Sequence, residues 1–213
     1  MFAATLALAV VAAAPTNGIR DVFSTRDYPE AALRENRGGT ASYRLLISDK
    51  GAPTGCEITH SSGWDDLDAA TCSALVRRAR FEPALDSEGR RAAGSYIGYM
   101  TWLVPGRASK GAFDAPMSEL TITIAQGAKD IVFPATAFVA LAVDPGGRLS
   151  DCTPTIRNSR SKALEADRAV RDELGAAACV ETVRTLNFRP MTDATGRPIA
   201  SIQTARVRFE LAR

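Results

Sequence analysis

The chain has one histidine, His60, among 213 residues. Its four cysteines are widely spread, and the closest two, Cys56 and Cys72, are 16 positions apart (72 − 56). Zinc ligands usually come in pairs two to four residues apart, so this spacing argues against a zinc site. No apolar run reaches the roughly 20 residues of a membrane-spanning helix. The formal net charge is only +2, with no large basic cluster, which argues against nucleic-acid binding. No glycine-rich phosphate loop follows a strand, so no cofactor is expected. The 11 prolines are scattered, with no proline-rich spacer.

What is present is ordinary for a folded protein: 46% apolar and 23% charged residues. The longest apolar stretch is the start, "MFAATLALAVVAAAP". Its length fits the core of a secretory signal, and Ala12, Ala13 and Ala14 supply small residues for cleavage. It has no positive charge ahead of the apolar run. A buried N-terminal segment and a short inner-membrane anchor stay open beside the signal-peptide reading of residues 1–18.

A pattern occurs twice. "CSALVRRARFEPALDSEG" (72–89) and "CVETVRTLNFRPMTDATG" (179–196) share Cys, Phe-x-Pro, Asp and Gly, each offset by 107 residues (179 − 72). Upstream, "SDKG" and "VDPG" align Asp49 with Asp144 and Gly51 with Gly146 at an offset of 95 (144 − 49). A period of this size implies two duplicated domains, here 19–104 and 117–213, joined by a linker over 105–116. Four cysteines allow three pairings, and the repeat favours Cys56–Cys72 and Cys152–Cys179. Such bridges persist in oxidising compartments such as the periplasm.

Each copy reads as strand, turn, strand, helix, turn, strand: an α+β domain with a small antiparallel sheet packed by one or two helices. In "ASYRLLISDKG" and "GCEITHS", alternation puts Cys56 and Ile58 on one face. In the helix "DDLDAATCSALVRRAR", Asp65 or Asp66 is the expected cap, and Cys72, Val76 and Ala79 share the expected inward stripe. Cys179, Val183 and Leu186 are their counterparts. The terminal "RRAR" is read as cations complementing the helix dipole. Phe81 then enters the core, Pro83 stops the helix, and "SYIGYMTWLVP" forms the third strand. Its copy "QTARVRFEL" alternates Ala205, Val207, Phe209 and Leu211 with charged residues that read as edge protection. The front ends differ: "DYPEAALRENRGG" is a helix starting near Pro29, whereas "SELTITIAQ" is a strand.

Tyr28-Pro29 with Ala32, then "ISDKG", "SSG", "LDAA", "RRARFEPA" and the closing strand, resemble the C-terminal domain of TonB energy transducers. The likeness covers residues 28–104, and residues 137–211 are a degenerate second copy. The resemblance implies a three-stranded antiparallel sheet packed by helices and a place in the Gram-negative periplasm. It implies a partner too: the TonB box of an outer-membrane TonB-dependent transporter, added as a strand beside the third strand. The expected partner-binding residues are Tyr96, Ile97, Gly98, Tyr99, Met100, Thr101 and Trp102. Gly98 hints at close approach of another backbone. Plain packing is the competing reading of these residues. A full transducer also has a membrane helix that engages the ExbB–ExbD motor and a long proline-rich spacer. This sequence shows neither feature, so motor engagement is not expected. The competing function is an adaptor or structural protein whose domains bind each other or form a homodimer.

"THSSGWDD" invites a hydrolase reading through His60, Ser61 and Asp65. A triad is defined by geometry, and consecutive His60 and Ser61 point to opposite sides of a strand. Asp49, Asp86, Asp144 and Asp193 all sit in Asp/Gly turns, where the carboxylate bonds its own backbone. The expectation is therefore a binding protein, not an enzyme, with no metal.

Overall fold

The computed structural model describes residues 9–16, 18–111, 118–125, 133–157 and 168–212. The strands are β1 (Ala14–Pro15), β2 (Gly39–Ile47), β3 (Pro53–His60), β4 (Phe81–Glu82), β5 (Ala84–Leu85) and β6 (Arg91–Trp102). Then come β7 (Leu120–Ile124), β8 (Ala135–Val143), β9 (Leu149–Arg157), β10 (Met191–Thr192), β11 (Pro198–Ile199) and β12 (Ser201–Leu211). The helices are α1 (Glu30–Arg34), α2 (Asp65–Arg78) and α3 (Arg168–Thr185). The fold class is α+β, as the sequence predicts. Among the described residues, no helix is long and apolar enough to cross a membrane.

The chain divides into two compact units. The first comprises Ala13–Pro83 and Ala93–Met117; the second comprises Met1–Ala12, Ala84–Ala92 and Ser118–Arg213. The sheet of the first unit runs β3–β2–β6, antiparallel throughout. That of the second runs β9–β8–β12, also antiparallel, with β7 laid parallel on β12. In each unit the first strand and the second form a hairpin, a helix follows, and the last long strand pairs with the first. A disulfide ties helix to second strand in both: Cys56–Cys72 with Cα atoms 5.5 Å apart, and Cys152–Cys179 with 6.0 Å.

The strand registers align the units more closely than the sequence does. Ser48, not Asp49, matches Asp144. The Ser48 N–H donates to Ala52 O and the Gly51 N–H to Ser48 O, just as Asp144 N–H donates to Arg148 O and Gly147 N–H to Asp144 O. The offset is then 96 for both turns and for the hairpin cysteines (144 − 48, 147 − 51, 152 − 56). Gly51 and Gly147, at φ +79° and +82°, supply the left-handed residue each turn needs.

The helix stripes keep Ala79 buried as predicted but are otherwise centred one residue from where the pattern predicts. Leu67, Thr71, Ala74 and Leu75 are the buried residues of α2, while Val76 is 38% exposed. Leu174, Gly175, Ala178 and Thr182 are those of α3, while Val183 is 47% exposed. The cysteines sit at the rim of each buried face, because a bridge to the sheet draws its helix residue to the side of the contact. The cap of α2 is the backbone of Trp64, without a side-chain cap bond. Asp65, Asp66 and Asp68 occupy the first turn, where their charge favours the positive helix end. At the other end Arg80 donates to the carbonyls of Arg77 and Ala79. The basic run thus caps a helix, as expected.

Part of the N-terminal stretch, residues 9–16, is described. Val10 and Ala13 are buried, and Ala14–Pro15 pair with Glu82 and Phe81. Residues 105–111, expected as linker, fold back on the first unit: Gly38 N–H donates to Lys110 O, and Lys110 N–H to Asn36 O. Residues 112–116 of that stretch, and most of the insertion before α3, lie outside the described residues.

Candidate functional site

The first unit contains a cleft of about 400 Å³ at the C-terminal end of β6. One wall comes from Met100, Thr101, Trp102 and Leu103. The opposite wall is the chain ahead of α1, with Phe23 and Tyr28, and Leu33 of α1. Aromatic rings form its base. The Trp102 ring meets Tyr28 edge-on at 5.2 Å and Phe23 at 6.0 Å, near-perpendicular arrangements that suit the ring quadrupoles.

Two of these rings, Tyr28 and Trp102, are anchored by a polar tip. The Tyr28 hydroxyl donates to Arg37 O at 2.6 Å. The Trp102 indole N–H donates to the Thr71 hydroxyl at 2.9 Å, and that hydroxyl donates onward to Leu67 O. Trp64 donates its indole N–H to Gly38 O, and the Arg37 guanidinium lies 4.9 Å over the Trp64 ring while pairing with Asp66. The wall carrying Phe23 is fastened by Asp27. Its carboxylate accepts from Ser24 N–H and from Arg78, at 2.8 and 2.6 Å. Burial alone would raise the Asp27 pKa, but the bonds from Arg78 and Ser24 outweigh it and hold it below the usual carboxylate range.

The structure separates the seven predicted site residues into two groups. Met100, Thr101 and Trp102 line the cleft. Tyr96 instead packs on Phe81 at 5.2 Å, and Ile97 is buried. Gly98 has a packing explanation. It stands opposite Tyr43 in the β2–β6 register, and a Cβ there would fall 2.5 Å from the Tyr43 hydroxyl. The glycine makes room for a ring of its own sheet, so its signal for another backbone is withdrawn. Tyr99 is 40% exposed and does not line the cleft. Sequence reasoning missed Phe23, Leu33 and Leu103. An aromatic residue five positions before Tyr28 was a signal for Phe23, but only the turn at Thr25–Asp27 brings both rings to one side.

The hydrolase constellation does not assemble. His60 is exposed at the end of β3. The Ser61 hydroxyl accepts from Gly63 N–H, and the buried Ser62 hydroxyl donates to Trp64 O. Both serines build the strand-to-helix turn.

The family profile described as the Gram-negative bacterial TonB protein C-terminal matches residues 24–99, which run from the cleft wall through α1, β2, β3 and α2 into β6. No curated protein and no solved structure shows a significant match to the chain. Residues 24–99 are therefore similar to the TonB C-terminal family, and the chain carries a TonB-like domain over that stretch.

Proposed function

We propose that the first unit is a periplasmic binding module that recognises an extended segment of an outer-membrane TonB-dependent transporter. The segment adds as a strand beside Met100–Trp102 and sends alternate side chains into the adjoining cleft. Backbone hydrogen bonds then supply affinity, and the apolar walls supply selectivity. The observation that carries this reading is the cleft of about 400 Å³, walled by Phe23, Tyr28, Met100 and Trp102 at the end of the last strand. β3, on the far side of β2, is poorly suited. It contains Pro53 and two irregularities in its pairing, features that discourage strand addition. In this reading the protein is exported, its disulfides form on export, and it performs no catalysis. The second unit is, in this reading, a degenerate duplicate.

Calorimetry with synthetic TonB-box peptides tests the proposal. The full chain should bind, and Leu103→Glu should weaken binding about tenfold by placing a charge at the cleft rim. Leu103 is 62% exposed, so the change leaves the core alone. Thr101→Pro should also weaken it. No heat at high peptide concentration, or binding indifferent to Leu103→Glu, sinks the proposal and favours the adaptor reading.

A further inference from the structure

The two units differ in what lies along one structurally equivalent stretch. In the strand registers, β2 and β8 align at the offset of 96, so that Ile47 pairs with Gly94 where Val143 pairs with Ser201. Gly39 likewise pairs with Trp102 where Ala135 pairs with Phe209. Met100–Val104 therefore correspond to Val207–Leu211. In the first unit, Met100–Leu103 border the cleft. In the second unit, the corresponding stretch carries β7, paired residue for residue from Val207↔Leu120 to Leu211↔Ile124.

Among the described residues, the β7 strand has no counterpart in the first unit, where α1 and the turns before it stand ahead of the first long strand. It is five residues long and pairs in parallel, the less stable geometry per residue. Its side chains alternate. Leu120, Ile122 and Ile124 pack on the core of the second unit, while Thr121 and Thr123 are exposed. Its ends are tied by backbone bonds, Glu119 N–H to Arg206 O and Ala212 N–H to Ile124 O. The charges of β12 were expected to discourage pairing, but they do not. Arg208 and Glu210 project from the sheet face and pair with each other at 2.6 Å, leaving the in-plane backbone groups to β7.

We propose that β7 is an internal ligand. It fills on β12 the strand-accepting edge that the first unit offers to its partner, so the second unit is a closed copy. The surface beneath it, Val207–Leu211, fits an extended segment of alternating apolar and small polar residues running parallel to β12. The inference rests on the strand-addition reading above for its function, but its test does not depend on transporter peptides.

The probe is the octapeptide SELTITIA, residues 118–125 of the chain, titrated into the full-length protein. Ile122→Asp should release β7 by placing a charge on its inward face. The released variant should bind one added SELTITIA at the second unit, protecting the amides of Val207–Leu211 from exchange, while the native chain binds none there. Ile124→Asn is the milder variant if Ile122→Asp unfolds the unit, and retained amide protection in β8 reports that the sheet is intact. Folded variants that take up no peptide at Val207–Leu211, or a native chain that already binds there, overturn the proposal. Uptake at Val207–Leu211 with no TonB-box binding at the first unit would sustain this inference and defeat the transporter reading. The reverse result would do the opposite.

Discussion

Trp102 donates its indole N–H to the Thr71 hydroxyl at 2.9 Å, deep beneath the cleft of the first unit. Thr71 is fully buried and its own hydrogen is committed to Leu67 O, so it accepts from the indole and cannot donate to it. At the equivalent positions of the second unit, 107 residues later (178 − 71, 209 − 102), stand Ala178 and Phe209, both fully buried. The polar pair is lost as a pair. The fold is satisfied without it, and the unit with the cleft is the one that keeps it. The relay fixes the ring at the base of the cleft before a ligand arrives, which lowers the ordering cost of binding.

Thr71→Val should therefore cost about 1–3 kcal/mol of stability, because it strands a buried N–H. In a Trp102→Phe background the same change should cost far less, since no donor remains. A double-mutant cycle by urea denaturation checks this. Equal costs in both backgrounds would show that the bond contributes nothing specific.

Gly98→Ala should destabilise the protein by about 1–3 kcal/mol through overpacking against Tyr43. The second unit solves the same pair differently, with Val139 opposite Ala205. Tyr43→Val should then rescue part of the Gly98→Ala loss, measured as a rise in melting temperature over the single variant. A further fall instead of a rise would refute the pairing.

The turns at Asp144 and Asp193 predict acid sensitivity. The Thr195 hydroxyl, then the Arg197 and Thr195 N–H groups, hold the Asp193 carboxyl down to about 2. The Arg148 N–H is the largest influence lowering Asp144. A carboxylate with a depressed folded pKa stabilises above its unfolded value of about 3.9 and loses that contribution as pH falls through the folded value. Melting temperature should fall between about pH 4 and pH 2, and Asp193→Asn should flatten the fall. An unchanged pH profile in that variant would count against the turn as its source.

Peptide mapping under non-reducing conditions should recover Cys56–Cys72 and Cys152–Cys179. Replacing either pair by alanine should cost about 3 kcal/mol, because each bridge closes a loop of moderate length in the unfolded chain. Bridges between the two halves would contradict the observed connectivity.

Local periodicity carried much of the fold. Alternation in "ASYRLLI" and "TARVRFE", the Phe-x-Pro after each helix and the Asp/Gly turns are short-range signals, and each marks an element that forms. The site was less legible. Its three predicted lining residues lie on one strand, but Phe23 and Leu33 reach the cleft through a turn and a short helix far away in sequence. Gly98 read as an opening for a partner because sequence alone does not place Tyr43 across from it.

The sequence by itself determined the order of elements, the cysteine partners and the family likeness of residues 24–99, because these follow from spacing, side-chain alternation and motif order along the chain. Tertiary structure alone decided which face of each helix is buried and which strand residues meet across the sheet. It also decided that β7 lies on β12. Those outcomes depend on pairings between residues as far apart as Leu120 and Val207, and alternation along one strand fixes which side chains share a face but not which distant strand becomes its neighbour.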